Sequence, residues 1–198
     1  MKVNSVYLIL ILVSACNNPT LEEKVTFVAE QPIKKDTSES ELAYNKGYEN
    51  YNKRDYRGAV KEFTKYIDLR RGKEKISSSD YEIYYLRAEA NRAINKYNNA
   101  VHDYDIFLNY CPQDSTRKKG YFGRGSAQMG LEWYAGAEND FSNVIELDPQ
   151  NSDAYYCRGL IRAINNNQFQ ACEDYSKAAQ LGNNKAKEML NISCNNLF

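Results

Sequence analysis

The chain has 198 residues, 26 basic against 26 acidic side chains, and a mean hydropathy of −0.71. That length accommodates one domain, and the charge balance removes any general affinity for nucleic acid or for an acidic membrane surface. A single histidine, His102, argues against the common zinc sites and most general-base machinery, and the scarcity of glycine and proline favours helices over a turn-rich β fold.

In chain order, the first element is a targeting segment over residues 1–15. Lys2 supplies a positive start, Val6 to Val13 form an apolar run too short to span a bilayer comfortably, and the run ends in small residues before Cys16. "VSAC" resembles the bacterial lipobox, in which the cysteine becomes the first mature residue and carries a diacylglyceryl thioether and an N-acyl chain such as palmitate. An ordinary cleaved signal and an uncleaved anchor are the alternatives. Several acyl chains, at about 0.8 kcal/mol per buried CH₂, would hold the protein stably on a membrane. Asn17, where an aspartate would signal retention in the inner membrane, favours the outer membrane of the cell envelope, facing the periplasm. Residues 16–40 carry two prolines, mixed charge and no apolar stripe, and read as a flexible tether of roughly 25 to 30 Å.

From Glu41 onward the chain repeats itself. Ala59, Ala100, Ala137 and Ala171 each sit in a similar phrase, followed four residues later by Phe63, Tyr104, Phe141 or Tyr175 and then by further apolar residues on the same helical face. Twelve residues before each alanine lies a small residue, Gly47, Ala88, Gly125 or Gly159, inside a second helical pattern. These residues resemble the tetratricopeptide repeat, a helix-turn-helix unit of about 34 residues with a G…Y…A-x₃-F…P pattern. With the small residue at position 8, the alanine stands at 20 and the aromatic at 24 in all four copies, and Pro112 and Pro149 stand at 32 of the second and third.

The resemblance implies an all-α fold, an α-α superhelix of four repeats over about 41–72, 79–112, 117–149 and 152–182, closed by a capping helix within 183–198. Position 11, usually tyrosine, is Asn50, Asn91, Gln128 and Arg162, and Phe169 is displaced by one residue in the fourth unit. Looser or polar packing between first helices is therefore expected.

Position 7 holds Lys46, Arg87, Arg124 and Arg158, and position 23 holds Glu62, Asp103, Asp140 and Asp174. Lysine accompanies glutamate and arginine accompanies aspartate. In an antiparallel hairpin these two positions face each other, so four structural ion pairs are expected, with contact to a neighbouring repeat's acid as the rival. Cys172 and Cys194 lie equally far from the turn at Asn183, and export makes a disulfide between them the expectation, two buried thiols being the alternative. Cys111 and Cys157 have no such counterpart and are expected unpaired.

No catalytic constellation is legible. Gly123, Gly125 and Gly130 fail the dinucleotide spacing, because Gln128 stands where the third glycine belongs, and His102 has no companion ligands. Neither a cofactor nor a metal is implied, and a sequon at Asn191 carries little weight in a bacterial chain. The family arrangement implies a concave face made by positions 2, 5, 9 and 12 of the first helices. Tyr44, Tyr85, Phe122 and Tyr156 occupy position 5; Tyr48 and Tyr51 extend the first row, and Glu89, Arg92, Ser126 and Met129 continue the middle. Such residues either line a groove for a peptide or partner helix, or merely pack one first helix on the next. The lysine and asparagine set with which co-chaperone members clamp a terminal carboxylate has no match. The implied function is a non-catalytic, membrane-anchored scaffold for an envelope protein; a structural subunit using convex or edge surfaces is the alternative.

Overall fold

A computed structural model describes residues 38–71, 80–111 and 114–194. The targeting segment, Cys16 and the tether as far as residue 37 lie outside these residues, as does most of the long first junction; the last two residues read as tether, Glu39 and Ser40, open the first helix. Among the described residues nine α-helices occur and no strand: α1 (Glu39–Asn52), α2 (Tyr56–Arg70), α3 (Tyr81–Ala93), α4 (Tyr97–Tyr110), α5 (Asp114–Gly130), α6 (Tyr134–Leu147), α7 (Ser152–Ile164), α8 (Gln168–Gln180) and α9 (Asn184–Ser193). They form four antiparallel hairpins and a closing helix, each hairpin stacked on the next as a helical solenoid.

One turn is used four times. In each hairpin the residue at position 15, Arg54, Asn95, Glu132 or Asn166, has φ between 60° and 62°. The next residue's N–H donates to the carbonyl of position 11: Asp55 to Asn50 at 2.9 Å, and Lys96 to Asn91, Trp133 to Gln128 and Asn167 to Arg162 at 2.8 Å. This six-to-one bond is the Schellman ending, which satisfies carbonyls that a terminating helix leaves open. Asp55, Asn151 and Asn183 cap the following helices by accepting from the N–H of Gly58, Ala154 and Ala186.

The core follows the repeat register. The position-20 alanines are fully buried, and the position-24 aromatics Phe63, Tyr104, Phe141 and Tyr175 lie beneath the small residues at position 8. A Cβ on Gly47 would approach Phe63 to 2.6 Å, and one on Gly159 would approach Tyr175 to 2.8 Å. Between the second and third hairpins the backbone of α5 closes on α4: Gly120 faces Phe107, Gly123 faces Tyr104 and Gly130 faces Tyr97. The glycines that mimic a nucleotide loop in the sequence thus allow close helix packing.

At the far end, Cys172 on α8 and Cys194 after α9 form a disulfide with Cα atoms 5.8 Å apart. Gln168 adds a hydrogen bond from its Nε2 to the Ser193 carbonyl.

Candidate functional site

Each of the three arginines at position 7 binds both its own hairpin and the hairpin before it. Arg87 donates from Nε and Nη2 to the two carboxylate oxygens of Asp103 at 2.8 and 2.7 Å, and from Nη1 to Thr64 Oγ1 at 3.1 Å. Arg124 repeats the fork on Asp140 and sends Nη1 to Asp105 at 2.7 Å. Arg158 repeats it on Asp174 and sends Nη1 to Ser142 at 3.1 Å. Thr64, Asp105 and Ser142 all occupy position 25 of the preceding repeat. The two contacts weighed as rivals from the sequence coexist in the Arg124 guanidinium, whereas Arg87 and Arg158 meet a hydroxyl in place of the neighbour's acid; in each the fork matches a carboxylate and keeps a third donor for a neighbour.

The aromatic three residues before each arginine belongs to the same device. Arg87 lies over Tyr84, Arg124 over Tyr121 and Arg158 over Tyr155, with 5.6 to 5.7 Å from guanidinium carbon to ring centroid. In the first repeat the counterpart of these tyrosines is Ala43, and Lys46 makes a single contact of 3.2 Å to Glu62. Its side chain is 59% exposed, against 15% to 20% for the arginines. Hydrogen bonds from Arg124 to Asp140 hold the guanidinium charged despite its burial; burial pushes the Asp140 carboxyl up, and those same bonds oppose it. Arg162 adds a further link across repeats, from Glu138 to Asp174. Read from the sequence, the position-25 oxygens had no role and Arg162 stood only as a departure at position 11; the signal for the oxygens was an oxygen-bearing side chain two residues after each acid.

The face of the first helices changes character along the solenoid. In the first hairpin Tyr44 stacks on Tyr48 with rings 6.5 Å apart and 10° from parallel, Tyr44 also meets Tyr66, and Tyr51 meets Tyr56 edge-on. All three tyrosines of α1 are half-buried. Burial, followed by the nearby Glu82 charge, pushes the Tyr44 phenol up to about 12. In the second hairpin Glu89 accepts from the Tyr104 hydroxyl and from Arg92 Nη2 at 2.8 Å. Burial and the Glu89 charge raise the phenols of Tyr104 and Tyr85 well above their ordinary value.

Tyr85 packs on Phe107 and Tyr104, and Phe122 meets Phe141 edge-on. Tyr156 is only 5% exposed and lies against Tyr175, while Ser126 and Met129 are buried as well. Of the four position-5 rings Tyr156 is buried, whereas Tyr85 and Phe122 are half-buried, as Tyr44 is. His102 is exposed. Among the described residues no group of three or more His, Cys, Asp or Glu could hold a metal, and no helix is long and apolar enough to cross a membrane.

Residues 119–151 and 141–173 match family models of the tetratricopeptide repeat. Among solved structures, MamA from Desulfovibrio magneticus RS-1 is similar at a TM-score of 0.68 with 18% identity, over 78% of this chain and 82% of that one. The tetratricopeptide domain of Arabidopsis OM64 is similar at 0.52 with 27% identity, over 63% and 94%. The first such domain of Spaghetti (RPAP3), solved with the HSP90 peptide SRMEEVD, is similar at 0.55 with 23% identity, over 61% and 95%. With the repeated turn and packing register, these matches show tetratricopeptide repeats over residues 119–173 and a tetratricopeptide-like helical solenoid as the fold of the described residues.

Proposed function

We propose that this chain is a non-catalytic interaction scaffold, anchored to the bacterial envelope by lipid at Cys16, that receives an extended peptide or a partner helix on the concave face of its first helices. The observation that carries this reading is the row of half-buried tyrosines on α1, Tyr44, Tyr48 and Tyr51, which continues toward Glu89 and Arg92 on α3. Tyrosine offers a large contact area, few rotatable bonds and a polar end, a combination enriched where proteins bind one another. The position-7 arginines are committed to the scaffold, so recognition falls to the rings and acids beside them.

A photo-cross-linking amino acid placed at Tyr48 in the full chain, in living cells, should give a discrete adduct, whereas the same group at exposed Lys61 on α2 should give none. Adducts from Lys61 alone would move the interface to the outer helices. A second reading, the structural subunit, draws on Trp133 and Phe169, which are 52% and 56% exposed and lie near the hairpin turns of successive repeats. Cross-linking from Phe169 with none from Tyr48 would favour it. For the anchor, Cys16→Ser should abolish incorporation of labelled fatty acid; continued labelling would refute lipidation at that residue.

A further inference from the structure

The two ends of the solenoid are unlike, and each carries what the other lacks. At the internal junctions one first helix packs on the second helix before it and buries its positions 3, 6 and 10: Ile83, Leu86 and Ala90 on α3, and Ala154, Cys157 and Ile161 on α7, are all 3% exposed or less. The same stripe on α1 has no hairpin before it among the described residues, and Leu42, Asn45 and Glu49 are exposed, Leu42 by 63%. Lys46 at position 7 makes its one contact to Glu62, and an ammonium carries three donors.

At the other end α9 takes the seat of a following first helix and leaves its polar groups unserved. Seven residues after the N-cap, where α3 and α7 carry Arg87 and Arg158, α9 carries Leu190. Ser176, the position-25 oxygen of repeat four, therefore receives no arginine and meets Gln180 of its own helix at 3.5 Å. Tyr175 is fully buried, and its hydroxyl has no partner among the described residues. Its counterpart Tyr104 donates to Glu89, but position 9 of repeat four is Leu160. A Cβ at Gly123, position 6 of the next helix, would strike the Tyr104 hydroxyl; on α9 that position is Met189, which offers no acceptor of comparable strength. What holds α9 is the Cys172–Cys194 bridge, with hydrogen bonds from Gln168 to the Ser193 carbonyl and from Asn183 to Asp153.

The stripe of α1 supplies each missing group in register. Asn45 at position 6 brings an acceptor for the Tyr175 hydroxyl, Lys46 at position 7 brings a donor for Ser176, and Leu42 at position 3 brings an apolar side chain to Ala178 and Ala179. Size agrees as well: in repeat two those last two positions are Phe107 and Leu108, which leave room only for Gly120. We infer that the downstream face of repeat four is a docking site for α1 of a second copy, and that α9, latched by the disulfide, covers it until the bridge opens. The contact joins two different surfaces, so stacked copies extend the superhelix head to tail. Opening is thiol–disulfide exchange with a dithiol, which is oxidised to its own disulfide while its two electrons and two protons leave Cys172 and Cys194 as thiols. One helix on one helix is a small contact, so stacking belongs to high protein concentration and dilute chains stay single. The inference is independent of the groove reading, because it uses positions 3, 6 and 7 of α1 rather than its ring-bearing face.

The test places a photo-cross-linking amino acid at Leu42 of the full chain, at high protein concentration, with the bridge intact, with the bridge reduced by dithiothreitol, and in Cys172→Ala/Cys194→Ala. Adducts at the mass of two copies and above should form in the second and third and be absent from the first, and peptide mapping should place the cross-link within residues 171–182. Adding Ser176→Lys to the alanine pair should abolish the adduct by setting like charge against Lys46, and Lys46→Glu in that same chain should restore it. No such adduct in either opened form, an equal adduct with the bridge intact, or a cross-link to another face, to the same chain or to a different protein overturns the inference. So does loss that Lys46→Glu fails to restore, since the polar match across the two ends would then be absent. Amide exchange on dilute alanine-pair protein checks that α1 to α7 stay folded; should they not, the dithiothreitol arm decides by the same outcomes.

Discussion

The first hairpin and the three that follow share one turn and one core register but are locked differently. Repeats two to four carry a tyrosine and an arginine three residues apart, a bidentate fork to aspartate and a third donor reaching back to the preceding repeat. The first carries alanine and lysine in those places and a single, largely exposed contact. Lysine is the end member of the series because the described solenoid holds no earlier repeat for it to reach. The comparison teaches that the recurrent arginine serves the junction between repeats as much as the hairpin itself, and that where the junction is absent the chain uses a cheaper pair.

The largest expected break in this comparison is Arg124→Ala. It strands Asp140, which is 1% exposed, and frees Asp105, so it should cost about 3–5 kcal/mol in denaturant unfolding. Lys46→Ala should cost no more than about 1 kcal/mol, because its contact is solvent-screened. Equal losses would erase the distinction between the two kinds of lock.

Cys194→Ala should come next, at about 2–4 kcal/mol, since it removes the bridge that ties α9 to α8. The loss should appear as faster amide exchange in α9 and α8, with α1 and α2 unchanged. Gly123→Ala should cost about 1–3 kcal/mol, because its methyl enters the Tyr104 ring. Gly125→Ala, whose nearest contacts are 3.2 Å and beyond, should lose less in the same thermal melts.

The pH dependence has a defined sign. Tyr44 has its phenol raised to about 12 in the folded chain, chiefly by burial, so the folded state holds its proton more tightly than the unfolded chain does. The Tyr44 contribution to stability should therefore be constant below the ordinary tyrosine value of 10 and fall as pH rises from 10 toward about 12. Tyr44→Phe should flatten that fall in alkaline denaturation.

The smallest effect probes what all repeats share. Glu132→Asn and Arg54→Asn each place at the left-handed turn the residue that Asn95 and Asn166 already supply there, and each should gain about 0.5 kcal/mol. A gain at one turn and a loss at the other would show that the first hairpin differs in its turn as well as its lock.

Much of this architecture was legible because the copies act as an internal alignment. Ala59, Ala100, Ala137 and Ala171 set the register, and the lysine–glutamate exchange against arginine–aspartate marked facing positions. Less legible was anything that needs three-dimensional stacking between repeats. Thr64, Asp105 and Ser142 share only an oxygen, so their common role as acceptors from the next repeat appears once the hairpins are stacked. The fate of the position-5 rings was also hidden. Tyr44 and Tyr156 look equivalent in sequence, yet Tyr156 is sealed against Tyr175 while Tyr44 stacks on Tyr48 beside solvent. What differs is the following turn of the same helix, tyrosine at 48 against leucine at 160.

The most direct test of the staple is native-state amide exchange of the wild-type chain and Arg124→Ala. If one guanidinium joins two repeats, exchange should accelerate in α5 and α6 and also in α4, whose Asp105 loses its partner, while α1 and α2 keep their wild-type rates. Acceleration confined to α5 and α6 would contradict the account, leaving the arginine a clamp of its own hairpin and nothing more.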